Sequence, residues 1–456
     1  MRQSEAADLE MQKSWSHFAP DLRFYMIAVI SVLLIAGAYS TIRSVMLLPA
    51  ALCGAFIILT EDTNAATGIL MFMLPFSEIF KLSAAGSSLY KVLEVAYIIR
   101  FFISKEKIRA AFLVSLALFA FVCGLSFIWS DHVEISRAIN LVLWFIVLMC
   151  IFQLYNDKTY VKMGKGFIFG ILLSCLVASV STYFGDLATV MKQAQIYNAD
   201  TQETIIRFMG LWNDPNTFAA FICLALTTNL KIYVLKKESA FIFIIYSTVL
   251  TIYGLLSLSK MCIVIVLVFW MVVILAKSGL KTNRKIVIVI TIAITAFLLQ
   301  DYFSKIVNTY VYRFDVSAKE GYSLDSLTTS RSVIWVKYLH SMRNLFVWIF
   351  GNGLNALQPD GRAAHNTYLQ ILYNVGLVGL ISYISVFVGL IGSLNGKIKL
   401  RIRSSTAIDF LPVLVICIIA FFLDYFFIES FYFMLGLAIL SIYAEGTNRE
   451  QKEAGI

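Results

Sequence analysis

The stretch NTFAAFICLALTTNLKIYVLKK, Asn216 to Lys237, decides the fold. A helix needs about 20 mainly apolar residues to cross about 30 Å of hydrocarbon. Residues 216–234 supply such a run, and Lys231, Lys236 and Lys237 mark the end at which the chain leaves the apolar phase. The same pattern recurs outward from this run in both directions. About fourteen candidate spans are expected on the length criterion, near 22–39, 45–60, 67–81, 88–104, 110–129, 138–155, 166–184, 216–234, 240–257, 262–277, 286–301, 366–395, 410–425 and 431–444. Pro75, Ser77, Glu78 and Lys81 crowd the end of the third, which marks it as a broken or re-entrant segment.

Composition agrees with this pattern. Of 456 residues 59% are apolar and only 14% charged, and the mean hydropathy is +0.80. A soluble domain carries about 25% charged residues. The expected class is an all-α, polytopic integral membrane protein with about 12–14 transmembrane helices in a single domain over 22–444. The polar stretches 1–21 and 445–456 are expected to be cytoplasmic tails, the first lacking the basic-then-apolar order of a signal peptide. Cys53, Cys123, Cys150, Cys175, Cys223, Cys262 and Cys417 all lie in apolar runs without CxxC or Cys/His clustering. They read as small buried hydrophobes, not as disulfides or a metal site. The net charge of +9 does not require nucleic acid, because membrane proteins concentrate basic residues in cytoplasmic loops.

Those loops set the orientation. Lys105, Lys107 and Arg109 occupy one; Lys158, Lys162 and Lys165 another; then come Lys231, Lys236 and Lys237; Lys277, Lys281, Arg284 and Lys285; and Lys397, Lys399, Arg401 and Arg403. Every second loop is basic, so these loops and both termini are assigned to the cytoplasm. Two long connections, 185–215 and 302–365, then lie outside. Connections longer than about 12–15 residues are usually functional or disordered. Within the second, Thr328 to Phe350 alternates apolar residues with Arg331, Lys337 and Arg343 as an amphipathic surface helix does, with Thr329 or Ser330 as cap. Gly351-Asn352-Gly353 reads as its stop.

Each candidate site residue has a plain structural reading beside a chemical one. Asp214, Pro215 and Asn216 form a turn and cap the next span. Arg207, just before them, is a snorkelling surface arginine or a planar fork for phosphate. Arg313, Lys319, Arg331, Lys337, Arg343 and Arg362 place positive charge outside, against the usual bias; acidic lipid or a bound anion accounts for it. Lys260 sits at a short external turn, Ser257 to Lys260, and an ionisable residue between spans usually has a task. Asn366 is a helix cap or binds a sugar hydroxyl, and Gly376 and Gly379 permit close helix packing. His365 ends the second long loop; its imidazole either packs at a helix start or takes a proton near neutral pH. Asp424 and Glu429, at the last external turn, are available to pair with loop arginines.

The order of these pieces resembles the bacterial O-antigen polymerase (Wzy-like) and O-antigen ligase (WaaL-like) superfamily. The resemblance rests on Arg207 through Gly210 to Asn216, the Ser257–Lys260 turn, Ser330-Arg331 with Trp335, the Gly351–Gly353 turn, and His365-Asn366-Thr367-Tyr368-Leu369 leading to Gly376 and Gly379. It implies metal-independent, inverting glycosyl transfer without a cofactor at the external face of the inner (cytoplasmic) membrane. The implied donor is an undecaprenyl-pyrophosphate-linked glycan, and the implied partners are membrane lipids, a chain-length regulator and a flippase. His365 is then the general base or the group that orients the acceptor hydroxyl. Arg207 and Arg331 bind pyrophosphate, and Asn216, Asn366, Lys260 and Arg313 are further binding candidates. The family often has Ser-x-Arg where this chain has Ser259-Lys260, and lysine is a point charge, not a fork. Polymerase is favoured over ligase, which uses the same donor; a lipid-linked oligosaccharide flippase is the alternative of a different class.

Overall fold

The computed structural model of the chain describes residues 20–39, 43–81, 88–104, 108, 110–130, 134–156, 158–183, 194–198, 203–275, 304, 308, 331–394 and 407–444. These residues are mainly helical: α1 (Pro20–Tyr39), α2 (Arg43–Thr60), α3 (Thr63–Met73), α4 (Tyr90–Ile103), α5 (Ala110–Ser126), α6 (Ile135–Gln153), α7 (Thr159–Tyr183), α8 (Pro215–Val234), α9 (Ala240–Leu256), α10 (Lys260–Leu275), α11 (Arg331–Ser341), α12 (Leu345–Phe350), α13 (Thr367–Leu394), α14 (Ala407–Phe422) and α15 (Glu429–Tyr443). A helix lies at each expected span except 286–301, which falls outside the described residues. Four stretches, Ile135–Gln153, Thr159–Val180, Pro215–Val234 and Thr367–Gly392, are long and apolar enough to cross a membrane.

The third expected span breaks where its sequence suggests. Asp62 caps α3 by accepting from Asn64 N at 2.8 Å and Ala65 N at 2.9 Å. The helix stops at Met73, and Pro75 lies in the 3-10 turn that follows. One all-α expectation needs an addition. The first long connection contains an antiparallel hairpin, β1 (Ala194–Asn198) and β2 (Glu203–Arg207), with Ala194 opposite Arg207. Ile196, Tyr197, Thr204, Ile205 and Ile206 are β-branched or aromatic, and such residues favour strands. The expected helix over Thr328–Phe350 is two helices: α11 ends at Ser341, and Asn344 caps α12, accepting from Val347 N at 2.9 Å. Its suggested caps, Thr329 and Ser330, lie outside the described residues, as do Arg313, Lys319, the two tails and most lysines and arginines of the basic loops. Lys231 is a correction: it lies inside α8, 3% exposed, and pairs with Asp409 of α14. Cys417 is another, exposed where burial was expected.

The described residues fall into two compact units. The first draws on Met1–Lys107, Gln153–Lys192 and Gly210–Asn213, and so contains α1 to α4 and α7. Within it α3 and α7 touch backbone to backbone. A Cβ on Gly166 would lie 2.1 Å from Gly68 O, and one on Gly170 would lie 2.1 Å from Phe72 O. Gly166 and Gly170 are four residues apart on one helix face, the spacing that lets apolar helices approach closely. The second unit draws on Ile108–Phe152, Gln193–Met209 and Asp214–Ile456. Its α8 is buried along most of its length, whereas Val264, Leu267, Met271 and Leu275 of α10 and Ile381, Ile384 and Val388 of α13 are exposed.

Overpacking a tight contact typically costs about 1–3 kcal/mol. Gly170→Val is therefore expected to lower the melting temperature of the detergent-solubilised protein by several degrees, whereas Gly392→Ala, where an added Cβ meets nothing within 4 Å, leaves it unchanged. Equal melting curves for both variants would contradict the backbone contact.

Candidate functional site

A break in α13 organises the second unit's polar end. Gly376 has φ 67 and ψ −170, and the helix is interrupted there. Two carbonyls just before the break are taken up by the turn after α12: Asn352 N donates to Tyr373 O at 2.8 Å and Gly353 N to Asn374 O at 2.9 Å. Gly351 (φ 77) sits so close that a Cβ would lie 2.3 Å from Asn374 O, while one on Gly376 would lie 2.3 Å from Ile349 O. The turn is also held from outside. Leu354 N donates to Ser126 Oγ at 3.1 Å, and Trp129 packs edge-on against Phe346 and Phe350.

From this anchor the chain returns to α13 through Arg362 to Asn366, and its path is fixed by α11. Tyr338 Oη donates to Arg362 O at 2.9 Å, and Trp335 Nε1 to Ala364 O at 2.9 Å. Gln370 Oε1 accepts from Ala364 N at 3.4 Å and lies 3.2 Å from Tyr338 Oη. Its Nε2 donates to Asn374 Oδ1 at 2.9 Å, and Asn374 Nδ2 to Leu354 O at 2.9 Å. Asn366 caps α13, accepting from Leu369 N at 3.0 Å. Thr367 Oγ1 donates to Leu423 O at 2.7 Å and accepts from Tyr425 N at 3.0 Å, which ties the start of α13 to the end of α14. His365 emerges from this scaffold with φ 48. A left-handed non-glycine backbone costs about 1–2 kcal/mol, and such positions cluster at functional sites.

His365 borders a cavity of about 560 Å³. Arg207, Asn216, Ser259, Lys260 and Arg331 also line its polar end, and side chains of α10 and α14 form an apolar groove below. Asn216, Lys260 and Arg331 each lie in the first turn of a helix. Helix N-termini favour anions through their unsatisfied N–H groups. Arg207 is braced: Nε donates to Ser257 O at 2.9 Å and Nη2 to Asn216 Oδ1 at 3.2 Å. The turn it grips is itself left-handed at Leu258 (φ 53). Asp214 caps α8, its carboxylate accepting from Asn216 N at 3.2 Å and Thr217 N at 3.1 Å. The described lining residues include three basic side chains, Arg207, Lys260 and Arg331, and no carboxylate. His365 is open to solvent but ringed by protein. Desolvation and then the Arg331 charge pull its pKa below the ordinary value of 6.5, while Asp214 opposes them. Both causes favour the neutral imidazole, a proton acceptor among cations.

Five of the sequence-selected residues, Arg207, Asn216, Lys260, Arg331 and His365, thus meet at one cavity. Asn366 is placed as the helix cap and does not line it. Arg313 lies outside the described residues. Lys337 pairs with Asp360, which accounts for its charge without lipid or ligand. Asp424 lies near Arg137 instead of a loop arginine; burial raises its pKa to about 6, against a hydrogen bond from Phe426 N and the Arg137 charge. The supports that sequence reasoning missed are Tyr338, Gln370 and Asn374. The last two, four residues apart in an apolar helix, are the signal that was available. Among the described residues no group of three or more His, Cys, Asp or Glu side chains is placed to hold a metal ion. Comparison with protein-family models and with curated proteins finds no match.

Removing the Arg331 charge relieves one of the two causes that lower the His365 pKa. In Arg331→Gln the His365 pKa, followed by NMR of labelled imidazole, is expected to rise toward 6.5; an unchanged value would remove Arg331 from its surroundings.

Proposed function

We propose that this chain is a multi-pass membrane glycosyltransferase of the O-antigen polymerase kind. On this reading it joins undecaprenyl-pyrophosphate-linked repeat units at the external face of a bacterial cytoplasmic membrane. The observation that carries the reading is the single cavity in which Arg207, Lys260, Arg331 and His365 stand at the head of an apolar groove. A cationic head suits pyrophosphate, and the groove between α10 and α14 suits a polyprenyl tail.

The membrane assignment has its own support. The helices recur at the expected spacing, and large apolar side chains such as Val32, Phe121, Leu267 and Val388 are more than 60% exposed. Extended exposed apolar surface of this kind needs an apolar phase to cover it. Orientation follows from charge. Lys236 and Lys237 follow the C-terminal end of α8, whereas the cavity lies at its N-terminal end. With basic loops inside, the cavity opens outside. Leu345, Phe346 and Trp348 of α12 are exposed, which suits a helix lying at the outer interface.

The proposed step is one displacement. An acceptor hydroxyl attacks the donor's anomeric carbon, and its proton passes to neutral His365. The new C–O bond forms as the bond from that carbon to the pyrophosphate oxygen breaks, and the electron pair stays on undecaprenyl pyrophosphate. Arg207, Lys260 and Arg331 stabilise the charge that develops on the leaving group; fixed cations do this without reorganising. A base opposite the leaving group gives inversion.

General base catalysis typically contributes about 10²–10⁴-fold. Purified His365→Ala, given lipid-linked repeat units, is expected to lose activity by that factor with normal membrane insertion; full-length polymer from this variant would sink the assignment. The wild-type kcat/KM should stay flat from pH 8 to 7 and fall only below pH 6.5, because the His365 pKa is lowered and the neutral form is the active one. Arg331→Lys is expected to impair turnover more than Arg343→Lys on the exposed side of the same loop. The product separates the related reactions: a longer chain on the same carrier marks a polymerase, glycan moved to another lipid marks a ligase, and unaltered substrate on the opposite leaflet marks a flippase.

A further inference from the structure

A second cavity, of about 590 Å³, lies in the same unit and is lined in part by the loop that leads to His365. Its size falls in the range of small-molecule sites, about 300–1,000 Å³. Its chemistry contrasts with that of the first. Glu134 and Arg137 line it as an ion pair at 2.7 Å, so their charges cancel. The remaining polar lining comes from amides, among them Asn355, Gln358 and Gln370. Arg137 also lies over the Phe427 ring, 5.1 Å from its centre. Asn355 is 6% exposed; its Nδ2 donates to Glu134 O at 3.2 Å, but its Oδ1 has no hydrogen-bond partner among the described residues. A buried amide oxygen left unpaired costs about 1–3 kcal/mol, which a ligand hydroxyl would recover.

We propose that this cavity is a binding subsite for an uncharged saccharide, the acceptor glycan in the transfer described above, so that it rests on that reading. Amides and a neutralised carboxylate–guanidinium pair both donate to and accept from hydroxyl groups, as a polyol requires. An anion is disfavoured, because among the described residues no uncompensated cation lines the cavity. The two cavities are mechanically joined. Gln370 lines the second and holds Ala364, the residue before His365. Gly361 lines the second cavity and His365 the first, and four residues span at most about 14 Å. A sugar held in the second cavity is thus within reach of the base at the edge of the first.

The test uses the full chain in nanodiscs, with Cys53 and Cys417 changed to serine because the other described cysteines are buried. Single reporters are Gln358→Cys or Leu357→Cys in the second cavity and Met261→Cys in the first. Each is labelled with a charged maleimide. The probes are undecaprenyl pyrophosphate and the free oligosaccharide released by mild acid from polyprenyl-linked glycans of the native membranes. The oligosaccharide is expected to slow labelling at 357 and 358 at least threefold and to leave 261 unaffected, and undecaprenyl pyrophosphate to do the reverse. Oligosaccharide protection at neither loop reporter, with pyrophosphate protection intact at 261, overturns the acceptor subsite and leaves the proposed function standing. Absence of pyrophosphate protection at 261 counts against the proposed function itself. Two loop reporters are used so that misfolding of one still leaves a readable result.

Discussion

The backbone carbonyls beside the break in α13 are the constraint on which the candidate site depends. A helix interrupted at Gly376 cannot pair them internally, and in apolar surroundings an unpaired carbonyl costs several kcal/mol. Asn352 N and Gly353 N meet that need. In doing so they pin the turn after α12 against α13 and fix where the returning loop starts. Everything downstream is then a short tether: Leu354 to Ser126 and Asn374, Arg362 and Ala364 to α11, and Thr367 to the end of α14. The position of His365 is set by backbone accounting several residues away, and none of its neighbours in sequence would place it alone.

A second constraint is the gathering of positive charge. Arg207, Lys260 and Arg331 stand at one cavity with no carboxylate among its described lining residues, and like charges repel. The arrangement holds because the groups come from separate, rigid parts. Arg207 ends a strand and is braced on Ser257 O and Asn216, Lys260 opens α10, and Arg331 opens α11. Structure paid for elsewhere keeps the cations in place before any ligand arrives, and that is the condition under which fixed charge is most effective. The buried pair Lys231–Asp409 holds α8 to α14, the helix that walls the apolar groove.

The helices were legible because hydrophobic runs of membrane length leave few alternatives, and expected and observed boundaries at α8, α9 and α15 differ by only a residue or two. The polar end was legible in part. Arg331 was visible as a charge on the wrong side of a positive-inside pattern, Arg207 and Lys260 as ionisable residues at external turns, and His365 as a lone imidazole at the end of a long loop, signals that need no tertiary knowledge. Their meeting was not, since it depends on which helices touch. The hairpin was missed because strand alternation over five residues is weak against a strongly helical background. For Asn366 the sequence left a cap and a sugar contact open, and its side chain is engaged as the cap. Gly166 and Gly170 carried a readable spacing that acquires meaning only opposite Gly68 and Phe72.

The two causes that lower the His365 pKa differ in what a ligand does to them. Desolvation remains or deepens when a cavity fills, but the Arg331 charge is offset by an anion seated beside it. On the proposed reading, His365 is least basic while the cationic end is empty and becomes more basic once pyrophosphate occupies it. Proton affinity then rises only in the complex that has a use for it. The left-handed backbone at His365 fits the same logic, because a residue held in a costly conformation by Trp335, Gln370 and Thr367 cannot relax toward the cations and spend its lone pair there. The second cavity, whose described charged lining is the paired Glu134 and Arg137, adds no net charge to this balance. On the proposed reading, the base then responds to the donor alone, whichever uncharged acceptor is bound.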